Sequence, residues 1–269
     1  MAEQRRSIFI SGGASGIGRA TARYFAERGW FVGIGDVNEQ GMEDTLGLIG
    51  GGFKYAHKLD VRDRAAWDVA LAAFSVAAGG RIDAVVNNAG IGTGGPLHEL
   101  EPEEIERCLD INLKGVLWGA QAAYPHLQKT APGSALVNIA SAAGIIGGTG
   151  MSVYSATKFA VRGIAESLDA EWAPEGIKVS SICPSFIETP LLDSTGNRHS
   201  NESVRNRVKA AGLEITPVEE VAETIWNAVH GDDLHYLVGK TAKQLNFVKR
   251  WMPGKIRKQS RSNSSLLGR

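Results

Sequence analysis

The chain has 269 residues, 43% hydrophobic and 22% charged, a globular composition that excludes an intrinsically disordered protein. Its 29 Lys and Arg balance 29 Asp and Glu, so net charge makes no case for nucleic acid or an acidic ligand. Two cysteines, Cys108 and Cys183, exclude a disulfide framework and lack metal-type spacing, and no metal is expected.

Short apolar runs and longer helical patterns alternate from the start. Residues 8–10 read as a first strand, in an apolar run too short for a signal peptide. A helix is expected over 17–28, a strand over 31–35 and a helix over 65–77. Strand 84–87, helix 102–127, strand 135–139, helix 153–172 and strand 178–182 follow. The strands are mostly apolar, as strands buried on both faces are. The alternation therefore implies βαβ units, with a parallel sheet and helices on both its faces. The fold class expected is α/β, a single doubly wound domain over residues 1–240. Residues 190–212 are polar and poor in strand formers, which suggests a loop acting as a substrate lid. Residues 240–269 hold nine Lys or Arg and no acid, leaving 20 basic against 29 acidic residues before them. No apolar stretch approaches the ~18 residues of a membrane span, and a cytoplasmic protein is expected.

Directly after the first strand stand Gly12, Ser15, Gly16, Ile17 and Gly18, the glycines in the spacing GxxxGxG with a helical pattern behind them. Glycines between a strand and a helix N-terminus let backbone N–H groups approach a pyrophosphate, and the helix dipole favours its charge. Asp36 ends the second strand, 18 residues beyond Gly18, near the spacing at which a carboxylate meets the adenosine ribose hydroxyls. A carboxylate there repels a 2′-phosphate, and Ser15, Val37 and Asn38 bring no positive charge, so NAD is favoured over NADP.

Seven motifs stand in order: SGGASGIG at 11–18, LDV at 59–61, NNAG at 87–90, INLKG at 111–115, Ser141 after ALVNIA, YSATK at 154–158 and CPSFIET at 183–189. Together they resemble the short-chain dehydrogenase/reductase (SDR) family, through about residue 240. The resemblance implies a Rossmann fold and a catalytic group of Asn112, Ser141, Tyr154 and Lys158. It implies that Asp60, with Val61, meets the adenine, and that Asn88 and Gly90 lie along the adenosine ribose. Pro184, Ile187 and Thr189 would border the nicotinamide carboxamide. One departure is Ser185, which follows Pro184 where the family usually has glycine.

Tyr154 and Lys158, four apart, share one face of a helix. An isolated phenol titrates near 10, about three units, or ~4 kcal/mol, from serving as a base at neutral pH. A neighbouring ammonium and a positive nicotinamide ring, in a site shielded from water, would supply that difference. On the family pattern Lys158 also grips the nicotinamide ribose, Ser141 holds the substrate oxygen, and Asn112 holds a water linking Lys158 to solvent. The function expected is NAD(H)-dependent interconversion of a hydrophobic secondary alcohol and its ketone. An NADP(H)-dependent carbonyl or 3-oxoacyl reductase, or a non-catalytic redox sensor, stands as the alternative.

Ile146, Met151 and Phe186 join Ser141 and Tyr154 as substrate-pocket candidates, with Ile145, Leu191 and Leu192 beside them. Arg205 and Arg207, in the lid, read as solvated. The resemblance also implies a homodimer or homotetramer. In the tail, Leu245, Val248 and Met252 share a helical face, with Phe247 and Trp251 beside it. Packing on the domain or a neighbouring subunit is favoured over an anionic membrane, and no nucleic acid is expected.

Overall fold

Seven strands run parallel in one sheet: β1 (Ser7–Ser11), β2 (Phe31–Asp36), β3 (Lys54–Lys58), β4 (Ala84–Asn87), β5 (Ser134–Ile139), β6 (Ile177–Pro184) and β7 (His235–Val238). The computed structural model describes residues 5–194 and 202–262. Strand order is β3-β2-β1-β4-β5-β6-β7, so the winding reverses between β1 and β4. In a doubly wound sheet that switch point opens a crevice beyond the carboxyl ends of the strands.

Side chains alternate across the sheet with period two, which builds two cores from one set of strands. Ile8, Ile10, Val32 and Ile34 face α1 (Gly16–Ala26), α2 (Glu39–Leu48) and α8 (Val218–His230), meeting Phe25, Met42 and Ile225. Phe9, Val85, Leu136 and Val179 face α3 (Arg64–Ala77), α5 (Gly115–Thr130) and α6 (Ser152–Trp172), meeting Trp67, Phe74 and Leu127. Each large side chain withdrawn from water in this way contributes about 1.5–3 kcal/mol. Packing is close enough that a Cβ on Gly33 would lie 2.5 Å from the Phe74 ring. β1, β4 and β5 are buried at every position, hence their apolar centres, with polar residues such as Asn87 and Asn138 hydrogen-bonded to each other within the sheet. β3 and β7 form the partly exposed edges, and neither KYAHK nor HYLV reads as a buried run.

The helix expected over 102–127 is not uniform. α4 (Pro102–Leu109) passes through a wide π-type turn, Asp110–Lys114, before α5 begins. Asn112 sits in that turn, fully buried. Such turns are rare and occur mostly where function demands them.

The part of the lid segment that is described holds one tight turn, Pro190–Asp193, and the short helix α7 (Val204–Ala210); residues 195–201 lie outside the described residues. Beyond β7 the basic segment opens as α9 (Lys240–Trp251), which packs on β7, and continues as α10 (Pro253–Ser262). Among the described residues, no helix is long and apolar enough to cross a membrane.

Candidate active site

The carboxyl ends of β1 to β6 converge on a cleft of about 790 Å³. Its walls include Gly12, Ser15, Gly16 and Ile17 after β1, Asp36 on β2, and Asp60 and Val61 after β3. Asn88 and Gly90 follow β4, Ser141 follows β5, and Pro184, Ile187 and Thr189 come from β6 and the turn beyond it. Tyr154 and Lys158 enter from α6.

The glycine loop is shaped for a phosphate group. Asn88 Nδ2 donates to the carbonyls of Ser11 at 2.9 Å and Gly12 at 3.1 Å, fixing the loop against the strand at the switch point. Gly18 does not line the cleft; a Cβ there would overlap the Gly12 carbonyl, so glycine lets α1 press against the loop. No acid occupies the first turn of α1, and the Ser15 side chain makes no capping bond there. The helix N-terminus thus keeps its N–H groups and partial positive charge for an anion. These features fit a dinucleotide pyrophosphate.

Asp36 presents its carboxylate at the same end, oriented by the N–H groups of Ala14 and Asn38, each 3.0 Å away. Arg19, in the first turn of α1, donates to the Ala14 and Gly41 carbonyls and to the Thr45 hydroxyl. Pattern reading missed two cations on the cleft wall, Arg62 and Arg107. Arg62 grips both Asp60 oxygens, from 2.6 to 3.0 Å, and holds that carboxyl below its usual range. Its place directly after LDV was the available signal. Gly90 lies beside Lys158 and Asn112: a Cβ on it would be 3.6 Å from Lys158 Nζ and 3.3 Å from Asn112 Oδ1.

α6 brings Lys158 Nζ to 5.7 Å from the centre of the Tyr154 ring. The buried Lys158 donates to the Ile139 carbonyl at 2.8 Å, and burial lowers its pKa from 10.5 to about 8. Burial also raises the Tyr154 phenol above its ordinary value, while a hydrogen bond with the Ser141 side chain pulls the other way. The lysine alone therefore does not bring the phenol down. Ser141 Oγ also accepts from the Ala143 N–H at 3.1 Å, which sets its rotamer. Asn112 does not line the cleft. Its Oδ1 accepts from the Ile91 N–H and its Nδ2 donates to the Ile91 carbonyl, both at 2.8 Å. Cys108 and Cys183 are fully buried, and burial raises both thiols above their ordinary value.

The apolar part of the cleft wall takes in only some of the expected set. Leu191 and Leu192 line the cleft, together with Ile91, whereas Ile146, Met151 and Phe186 do not. Ile146 packs with Val116, Ala140 and Val161 in a small third core, where Ile145 is fully buried. Met151 stands at the N-terminus of α6 against Gly148, and the Phe186 main chain is tied to Thr216. Arg205 is not solvated as expected: it pairs with Glu188 and, at 2.7 Å, with Asp193, and its side chain is 20% exposed. Arg207 donates to the Glu202 carbonyl at 2.8 Å.

The chain is similar to known proteins in sequence and in fold. The family described as short chain dehydrogenase matches residues 6–200. A 3-alpha-(or 20-beta)-hydroxysteroid dehydrogenase of Mycobacterium tuberculosis is 36% identical over 184 residues, 68% of this chain and 70% of that protein. A diacetyl reductase [(S)-acetoin forming] of Staphylococcus aureus is 34% identical over 245 residues, 86% of this chain and 93% of that protein. Among solved structures, a 3-ketoacyl-(acyl-carrier-protein) reductase from Brucella melitensis complexed with NADH aligns with TM-score 0.76 at 28% identity, covering 87% of this chain and 96% of that one. An actinorhodin polyketide ketoreductase variant with NADPH aligns with TM-score 0.80 at 29% identity, covering 90% and 99%.

Proposed function

The chain belongs to the short-chain dehydrogenase family, and on that footing we propose that it is an NAD(H)-dependent oxidoreductase interconverting a hydrophobic secondary alcohol and its ketone. The observation that carries this reading is the meeting of Ser141, Tyr154 and Lys158 in one cleft with the glycine loop and Asp36. A sensor of redox state has no use for such a group.

The dinucleotide, when bound, supplies the acceptor or donor of a hydride. The residues of the chain manage the proton. Tyr154 takes the hydroxyl proton of the alcohol in oxidation and returns it to the ketone oxygen in reduction. Burial keeps the phenol protonated in the protein alone, so the resting site holds an acid ready for a ketone. Oxidation needs the phenol lowered, and the positive charge of an oxidised nicotinamide adds to that of Lys158 in doing so. Ser141, already hydrogen-bonded to the phenol, holds the substrate oxygen at the same point. The Asn112 side chain is committed to the Ile91 main chain, which ties the wide turn to the segment after β4.

Asp36 supports NAD over NADP, because its carboxylate faces the ribose end and Arg19 is otherwise engaged. The apolar wall of Ile91, Leu191 and Leu192 supports a hydrophobic substrate. The hydroxysteroid dehydrogenase and diacetyl reductase relatives are named for alcohol and ketone chemistry. A homodimer or homotetramer is part of the same reading. α5 and α6 leave a groove of about 580 Å³ between them, lined by Leu117, Trp118, Ile164 and Leu168. Nicotinamide absorbance, followed with NAD and NADP side by side over a panel of apolar secondary alcohols and ketones, tests the reading. Turnover with NAD(H) supports it, and silence across the panel despite tight NADH binding favours the sensor.

A further inference from the structure

The helices that follow β7 have a face the fold does not use. Ala242 is buried, and Thr241, Leu245 and Val248 are half-buried where α9 packs on β7 and on the turn Ala142–Gly144. That inner face satisfies the packing expected of the segment. The outer face remains: Phe247 is 60% exposed and Trp251 65%. Lys243, Phe247 and Trp251 recur every fourth residue and so form one line along the helix. The Arg250 guanidinium lies 5.5 Å from the Trp251 ring, and Lys249 Nζ stands 4.7 Å from the ring of Phe159, itself 38% exposed on α6. On α10, Lys255, Arg257, Lys258 and Arg261 are exposed.

Charge selects the occupant. Residues 240–269 carry nine basic residues and no acid. A two-fold contact of this face with itself would set cation against cation, which is unfavourable. An exposed aromatic pair with Lys243 in line and Arg250 beside it matches instead the headgroup boundary of a bilayer, where rings enter the acyl edge and cations meet anionic headgroups. We propose that the outward face of α9, with Phe247 and Trp251 beside Lys243 and Arg250, seats on an anionic lipid surface together with the exposed Lys255 and Lys258 of α10. α9 packs on the turn that follows Ser141, so the docked face lies one element away from the substrate side of the cleft. The inference stands on this surface alone and does not depend on the reaction.

Sedimentation of the full chain with vesicles tests it, using phosphatidylcholine alone and phosphatidylcholine mixed with phosphatidylglycerol. Binding is expected only to the mixed vesicles, and added salt should release it. Each of Lys243→Gln, Lys255→Gln and Lys258→Gln is expected to weaken partitioning about fivefold, the factor equivalent to ~1 kcal/mol per surface cation. The double change Phe247→Ser with Trp251→Ser should abolish binding while leaving solution mass and the melting curve unchanged. The proposal is overturned if the chain stays in the supernatant with mixed vesicles at low salt, or if these variants bind as the parent does. It is also overturned if the aromatic change alters the oligomeric mass instead, which would assign the face to a second copy of the chain.

Discussion

The Lys158 ammonium donates to the Ile139 carbonyl across 2.8 Å, pinning the helix that carries Tyr154 to the strand that leads into Ser141. One buried hydrogen bond thereby sets the spacing between the proposed acid/base and the residue that holds its substrate. It also stations a cation in the interior at a cost to stability.

That cost can be measured. Lowering the Lys158 pKa from 10.5 to about 8 corresponds to roughly 3 kcal/mol against folding at neutral pH. The folded value lies below the unfolded one, so the penalty is complete below the folded pKa and fades as pH rises toward 10.5. Lys158→Met is therefore expected to raise the melting temperature at neutral pH, less about 1 kcal/mol for the orphaned Ile139 carbonyl. The gain should shrink at alkaline pH, while turnover falls by ~10²-fold or more. Melting curves of both proteins across that range check the sign.

Asp36→Asn keeps the shape of the side chain and removes its charge. Loss of the charged acceptor for the Ala14 and Asn38 N–H groups should weaken NADH binding a few-fold. Loss of repulsion should strengthen NADPH binding, moving the NADH/NADPH preference by about tenfold, or ~1.4 kcal/mol. Titration with both reduced cofactors reads the ratio directly.

Ser185, the residue that departs from the usual glycine, donates to the Val238 carbonyl at 3.3 Å. It is accommodated by Gly239, which has φ of 85° and where a Cβ would overlap the Ser185 hydroxyl and lie 2.7 Å from that of Thr216. Gly239→Ala is expected to destabilise the protein by about 2–4 kcal/mol, from backbone strain and overlap together. Adding Ser185→Gly should recover part of that loss but not the strain. A double-mutant cycle of chemical denaturation would show the coupling.

Arg205 joins α7 to Glu188 and Asp193, on either side of the cleft residues Thr189, Leu191 and Leu192. Partly exposed ion pairs contribute little to global stability, so Arg205→Ala should shift the melting curve by no more than about 1 kcal/mol. Its expected effect is on the wall it holds: faster NADH release and a higher KM for the alcohol. Stopped-flow displacement of NADH measures the first.

Sequence made the inner sheet and the cofactor loop legible for a physical reason. β1, β4 and β5 are buried on both faces, which forces apolar runs, and a close backbone approach forces glycine at Gly18. Edge strands β3 and β7 face solvent in part and carry no such signature. The wide turn at Asn112 leaves an apparently continuous helical pattern, because one added residue per turn barely disturbs the spacing. The apolar residues of the cleft wall were least legible. Ile146 and Leu192 are equally apolar in sequence, and only the path of the chain after Ser141 and Thr189 sends one into a core and the other to the cleft.

The central claim is that Tyr154 carries the proton, and the most direct measurement is nicotinamide absorbance with the parent and with Tyr154→Phe, with NADH affinity determined for both. Turnover is expected to fall by ~10²–10⁴-fold in the variant while NADH binding stays within a few-fold of the parent. Turnover retained within several-fold by Tyr154→Phe would contradict the assignment and move the proton to another group in the cleft.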